Sequence, residues 1–456
     1  MTVRTLWVHG ARGALAAAAS VLLVAGAPAA VAVAPPHVDP GSGPPGGDAG
    51  PAVPMMQHGG CSTAGVLPGS NPGAPTAAQQ LLNLPGAWAY SRGAGQSVAV
   101  LDTGVRPGPR LPNVDAGGDF VDGTDGLTDC DGHGTLVAGL IAGTRGPDGF
   151  SGVAPEARII GIRQSSPHYS ANVGSGDPAV GQVTADIDTL ARAVVRAADM
   201  GATVIAITQA VCLPADRPVD QNTLGAALKY AAEDKDAVIV AAAGDDSVAN
   251  CAANPLADPS HPKDPRGWGT VASVSVPSWW QPYVLSVGSL DSAGQPSAFT
   301  MAGPWVGIAA PGEDISSVGN GDGGDLANAL PNDRGDLTAL RGTGYSAAYV
   351  AGVAALVRSH FPHMKAADVV HRLTASAHGA PRNPSNLVGY GIVDPVAALT
   401  WNLPATGHPT QAQAVPAPKA PVAHDRNGRL VATVGAVLLA LATLLIVAFK
   451  RKDYSS

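Results

Sequence analysis

The chain has 456 residues, with 27 Lys and Arg against 35 Asp and Glu, for a formal net charge of -8. It carries no basic block outside its termini, so there is no electrostatic footprint for nucleic acid, and none is expected as a partner. Charged residues are only 14% while Gly and Pro number 57 and 40, which fits one large domain flanked by apolar and irregular segments.

Arg4 and Arg12 precede an apolar run from Ala14 to Ala27. Small-residue cleavage candidates follow, at Ala27-Pro28-Ala29 and Ala32-Val33-Ala34, so residues 1–34 read as a secretory signal peptide. Residues 35–78 are rich in Pro, Gly and Ala and contain Cys61. They are expected to form an irregular N-terminal extension tied down by a disulfide.

Residues 79–402 alternate strand and helix patterns. Ser97–Asp102 is an apolar strand, His133–Gly143 a small-residue helix, and Arg158–Ile162 strand-like. From Thr184 to Met200 the apolar residues Ile187, Leu190, Ala191, Val194, Val195 and Ala198 share one helical face, and Gly201 is a suitable stop. Ala202–Thr208 is a strand, Gln221–Asp234 a helix, Ala237–Ala243 a β-branched strand, and Tyr345–Ser359 an apolar helix. Such alternation predicts an α/β fold with a mainly parallel sheet covered by helices on both faces. Active sites in such sheets lie at the carboxyl ends of the strands.

Residues 403–427 read as a Pro- and Ala-rich, semi-rigid linker. Leu430–Phe449 is an uncharged run of 20 residues, long enough to cross a bilayer as one transmembrane helix. Lys450, Arg451 and Lys452 follow, which places the tail 450–456 in the cytoplasm and the body outside the cell membrane. In an exported chain the four cysteines, Cys61, Cys130, Cys212 and Cys251, suggest disulfides, with three connectivities open. No two have short metal-ligand spacing, and no metal or cofactor is expected.

Two residues stand out as chemistry. Asp102 ends the strand Val98-Ala99-Val100-Leu101, at the sheet's active edge. His133 lies in Asp131-Gly132-His133-Gly134-Thr135, between glycines that permit close backbone approach and just before an apolar helix. Alone, the first could be a turn aspartate and the second a structural histidine. Together, an Asp followed by His-Gly-Thr resembles the subtilases, serine proteases in which the Asp orients a His acting as general base.

The resemblance narrows further. Gly118-Asp119-Phe120-Val121, Asp129-Cys130-Asp131-Gly132-His133-Gly134-Thr135, Gly149-Phe150-Ser151-Gly152-Val153-Ala154-Pro155, Arg163-Gln164-Ser165-Ser166 and Ile239-Val240-Ala241-Ala242-Ala243-Gly244 look like the mycosins. These are membrane-anchored subtilases associated with type VII secretion. The resemblance implies a subtilisin-like fold, disulfides Cys61–Cys130 and Cys212–Cys251, and partners among the secretion complex's membrane components, besides any peptide or protein substrate.

Against that pattern several site positions depart. Aligning Gly342-Thr343 puts Gly344 at the nucleophile position, where the family has Ser. Aligning Ala243-Gly244 puts Asp245 where the family has the oxyanion Asn, and an ionised carboxylate has no hydrogen to donate. Ala348 and Ala206 replace a Pro and an Asn of the family pattern. Ser346 could substitute as nucleophile, but at about 100° per residue it points roughly 200° from position 344. With Gly344, the imidazole is expected to face open space. The sequence therefore reads as a mycosin-like pseudoprotease with a structural role. The alternatives are an active serine endopeptidase using Ser346 and a peptide-binding protein that does not cut.

Overall fold

The computed structural model describes residues 33–172, 178–248, 251–258, 260–380, 384–403 and 441. The expected signal peptide, linker, membrane span and tail lie outside these residues, save positions 33, 34, 403 and 441. Among the described residues no helix is long and apolar enough to cross a membrane.

Alternation along single strands explains the layering. In Ser97–Asp102, Val98 and Val100 enter one buried cluster while Ala99 and Leu101 enter a second on the opposite face. Val204–Ile207 and Val238–Ala242 divide their side chains in the same way. Strands apolar on both faces need cover on both. His133–Ala142 and Thr343–His360 supply it on the first face, and Pro178–Asp199 and Asn222–Lys229 on the second. The described sheet runs, edge to edge, His378–Gly379, Gly391–Ile392, Val306–Pro311, Val284–Leu290, Val238–Ala242, Val204–Ile207, Ser97–Asp102, Arg158–Arg163, Val114–Asp119. The pairings are parallel except that of His378–Gly379 with Gly391–Ile392. This is the expected mainly parallel α/β sheet.

Details differ from the sequence reading. The helix expected from Thr184 is already in place at Pro178, the first described residue of that stretch. The helix after Gln221 is α-helical to Lys229 and then widens into a π turn, Tyr230–Asp234.

The N-terminal extension is irregular apart from Met55–Gln57, which pairs antiparallel with Tyr169–Ala171, and its last two residues, which open the short helix Ala77–Leu81. Beyond that strand it crosses the loop before His133. Cys61 bonds Cys130 with Cα atoms 4.5 Å apart, and the Ser62 N–H donates to the Cys130 carbonyl at 2.7 Å. Asn320 fastens the same stretch by accepting from Ala64 N–H at 2.9 Å and donating to the Ser62 carbonyl at 2.9 Å. The second disulfide joins Cys212 and Cys251.

The Cys61–Cys130 bond closes a 69-residue separation, for which loop entropy corresponds to about 4 kcal/mol. Replacing both cysteines by serine should lower unfolding stability by up to that amount and expose residues near 55–65 to protease first. Unchanged urea unfolding and unchanged cleavage would show that backbone pairing alone holds the extension.

Candidate active site

Asp102 ends its strand fully buried, and His133 begins a helix in the loop facing it. The helix can start there because Gly132 takes a left-handed conformation, φ 85°, and because Gly134 lies against the Gly104 carbonyl, where any Cβ would collide. His133 Nδ1 donates to Asp102 Oδ2 at 2.8 Å. Asp102 also accepts from its neighbour's N–H, that of Thr103, at 2.7 Å, and from the Thr208 hydroxyl. Burial alone would raise the Asp102 pKa, but His133, Thr208 and Thr103 together hold it below the usual carboxylate range. Burial is the largest effect on His133 and opposes the imidazolium, yet the charge and hydrogen bond of Asp102, with the charges of Asp129 and Asp245, together raise its pKa. The Gln209 amide nitrogen also lies 2.9 Å from Nδ1. A ring nitrogen that donates cannot also accept, so with Nδ1–H committed to the Asp102 carboxylate the amide N–H is a close neighbour and not a partner.

The third position is closed. A Cβ added at Gly344 would lie 3.2 Å from His133 Nε2, so the ring does face this residue. It would also lie 2.6 Å from the Thr208 carbonyl oxygen, a backbone atom that cannot swing aside. The Tyr345 ring covers the imidazole, with centroids 4.8 Å apart. The position a side chain at 344 would take is thus bounded by backbone and by the Tyr345 ring, while the His133 side chain keeps 19% of its surface exposed. Ser346 is fully buried beside Gly312, where an added Cβ would strike its Oγ, and that hydroxyl has no hydrogen-bond partner.

Asp245 is buried and fully engaged. Its Oδ2 accepts from the Thr343 N–H at 2.9 Å and the Thr343 hydroxyl at 3.0 Å, and its Oδ1 accepts from Ser247 N–H at 3.2 Å and the Ser247 hydroxyl. Thr343 opens the Thr343–His360 helix, whose N-cap is Gly342, a residue with no capping side chain. The carboxylate thus caps that helix from outside, which suits its positive end.

Sequence reasoning missed Asp129. One oxygen accepts from the Thr103 hydroxyl at 2.8 Å, Asp131 N–H at 3.1 Å and Gly132 N–H at 2.8 Å. The other accepts from Thr135 N–H at 2.8 Å and its hydroxyl at 2.6 Å. One carboxylate therefore joins the residue after Asp102 to the residues flanking His133. Its only signal was the Asp-Cys-Asp-Gly-His string, where it lies beside a cysteine. Thr208 and Gln209 gave no signal at all.

Asp129→Asn replaces part of an acceptor by a donor facing N–H groups, so it should cost roughly 3 kcal/mol. The downfield Nδ1–H proton resonance of His133 should broaden or vanish as the pair loosens. Burial pushes the Asp129 pKa up to about 6, against the hydrogen bonds of Thr135 and Thr103. The folded state then binds more protons than the unfolded one between its ordinary range near 3.8 and about 6, so this group's contribution falls as pH rises through that window. Parent-minus-variant stability, from urea unfolding at pH 4 to 6, should decline accordingly. A flat difference with an intact His133 signal would remove Asp129 from this role.

Comparison with known proteins accords with this geometry. The subtilase (peptidase S8) family profile matches residues 93–391. Mycosin-3 of Mycobacterium tuberculosis is 58% identical over 97% of this chain and 99% of its own length. Mycosin-1 of Mycolicibacterium smegmatis is 43% identical over 95% of this chain and 96% of its own. The solved MycP3 protease from the type VII (ESX-3) secretion system superposes with a TM-score of 0.79 at 66% identity, covering 81% of this chain and all of that one. A chain of an intact ESX-5 inner membrane complex does so with a TM-score of 0.80 at 44% identity, covering 92% and 100%. This chain belongs to the subtilase family and, within it, to the mycosins.

Proposed function

We propose that this mycosin is a catalytically silent subtilase serving as a structural component of a type VII secretion complex at the outer face of the cell membrane. The observation that carries the reading is Gly344 facing the His133 ring. A glycine offers no atom to attack a carbonyl, and the Thr208 carbonyl occupies the room a larger residue needs. In subtilisin, a relative of this fold, losing the nucleophile costs about 10⁶ in turnover, and losing the oxyanion amide about 10²–10³. Here both changes coincide, and Asp245 uses its lone pairs on Thr343 and Ser247. The similarity to a chain of an ESX-5 inner membrane complex supports the assembly role. In this reading residues 1–34 direct export, 35–78 wrap a subtilisin-like domain at 79–402, and 403–427 link it to a single span at 430–449. The tail 450–456 then stays in the cytoplasm.

The intact Asp102–His133 pair favours one competing reading, a serine endopeptidase using Ser346. A fluorophosphonate probe separates the two. The full-length protein in detergent should remain unlabelled, whereas stoichiometric labelling at Ser346 sinks the silent reading. Gly344→Ser alone should stay without turnover and lose stability, since the Thr208 carbonyl must shift. Gly344→Ser with Asp245→Asn should gain measurably more activity than the sum of the singles, because both act on one transition state.

The topology is tested on intact cells. Protease added outside should release the region near 35–425 and leave a tag on the tail protected. A tail tag cut from outside contradicts the single-span arrangement.

A further inference from the structure

A cavity of about 700 Å³ lies at the far end of the helix that begins with His133. His133–Ala142 has 10 residues and so separates the two by about 15 Å. The loop after that helix forms one wall, through Arg145, Gly149 and Ser151. The short helices Ala77–Leu81 and Leu84–Ala87 and the turn up to Arg92 form the other. The Arg92 carbonyl accepts from Glu156 N–H at 3.0 Å, and the strands Ser97–Asp102 and Arg158–Arg163 begin just after these two residues. The cavity therefore opens at the amino ends of the strands, away from the carboxyl ends that carry Asp102 and the cleft beside it.

Its walls are fastened by contacts within the chain. Arg110 donates to the Thr144 carbonyl at 2.8 Å and to the two oxygens of Asp148 at 2.9 and 3.2 Å. Gly149 N–H donates to the Gly73 carbonyl at 2.8 Å, and Trp88 Nε1–H to the Val153 carbonyl at 2.8 Å. Within that frame two exposed arginines are left over. The Arg92 guanidinium lies over the Trp88 ring, 5.5 Å from its centroid, and Arg145 stands on the opposite wall. Among the described residues neither pairs with a carboxylate, and no acid lines the cavity. Asp148 is taken up by Arg110, and Glu156 makes no ion pair among the described residues. A guanidinium stacked on an indole keeps its N–H fork for a planar carboxylate. The Gln80 and Asn83 side chains also line the cavity, make no hydrogen bond among the described residues, and can serve a peptide backbone. Pro85 and the Trp88 ring add an apolar surface between the charges.

We propose that this cavity binds an acidic segment of a partner protein, with two carboxylates on Arg92 and Arg145 and an apolar side chain against Trp88 and Pro85. Two uncompensated guanidinium groups beside an aromatic surface are complementary to that chemistry. The inference goes beyond the structural role proposed above by naming the chemistry of one contact, and it holds whether or not the centre cuts.

The test measures fluorescence polarisation of Ala-Glu-Ala-Leu-Ala-Glu-Ala carrying a neutral dye, with the full-length protein in non-ionic detergent. The comparison peptides have both glutamates replaced by glutamine or by lysine. Two charge-assisted contacts should favour the glutamate peptide over glutamine by about tenfold or more at roughly 50 mM salt, with lysine weakest, and the preference should shrink toward about 500 mM. Arg92→Gln with Arg145→Gln should bring the three peptides to within about twofold of one another, and each single change should weaken glutamate binding by about threefold. Both side chains are exposed, so urea unfolding of the double variant should match the parent. Arg334→Gln, at another exposed arginine in the turn between Ala329–Pro331 and Leu337–Ala339, should leave the preference as it is. Equal binding of the three peptides to the parent, or no binding at about 1 mM, would overturn the proposal. So would a preference that survives the double change, or one that Arg334→Gln removes equally.

Discussion

An Asp on a strand end and a His on a helix start can meet at 2.8 Å only if something else fixes the two elements. Their own hydrogen bond is too weak to do so, worth on the order of 1–3 kcal/mol against the entropy of two loops. Asp129 supplies the constraint. A buried carboxylate with two oxygens can gather several donors at once, and here they come from Thr103 on one side and from Asp131, Gly132 and Thr135 on the other. The same short loop carries Cys130, bonded to Cys61, and offers the Asp129 carbonyl to Asn320 at 3.1 Å. So the loop that presents His133 is also the loop to which the N-terminal extension is fastened. Fold, pair and extension share one junction.

Much of this was legible in the sequence because the relevant signals are local. Ser97–Asp102 and Val238–Ala242 are continuous apolar runs, and a strand buried on both faces has no other way to look. The face of the Pro178–Asp199 helix that packs on the sheet holds Ile187, Leu190, Ala191, Val194, Val195 and Ala198, all buried, as its period requires. Strands that interrupt the apolar pattern were harder to read. Val114–Asp119 contains two glycines and two aspartates, and Val284–Leu290 buries Ser286 and Ser289. Their neighbours in the sheet, and not their own composition, make them strands.

The candidate site divides along the same line. Asp102, His133, Asp245 and Gly344 lie in short strings whose residue types carry meaning by themselves. Thr208 acts through its hydroxyl and its carbonyl oxygen, Asp129 through backbone N–H groups and the hydroxyls of Thr103 and Thr135, and no sequence pattern announces either. What Gly344 means for the site was also only half visible. The absent side chain can be read from the letter, but the Thr208 carbonyl standing where a Cβ would go needs coordinates.

The two departures from the protease pattern are of different kinds, and the difference bears on why the scaffold stands. No structural hydrogen bond needs a side chain at 344, so a glycine there removes chemistry without removing support, and neighbouring backbone fills the room. At 245 the change is a substitution of one bond-making role for another. A carboxylate cannot donate to an oxyanion, but it can accept from the first N–H of the Thr343–His360 helix, whose N-cap glycine has nothing to offer. Negative charge at a helix start is worth about 0.3–1 kcal/mol, and up to ~2 kcal/mol where partly buried. That helix is apolar along most of its length and packs at the centre of the first core, so holding its start in place steadies the whole face. An active site must keep its oxyanion group free for substrate, whereas a site released from catalysis can commit the same position to the fold. The hydrogen bonds of Asp245 to Thr343 and Ser247 fit the second character in the reading proposed above, and Asp129 ties together the segments that carry Asp102 and His133.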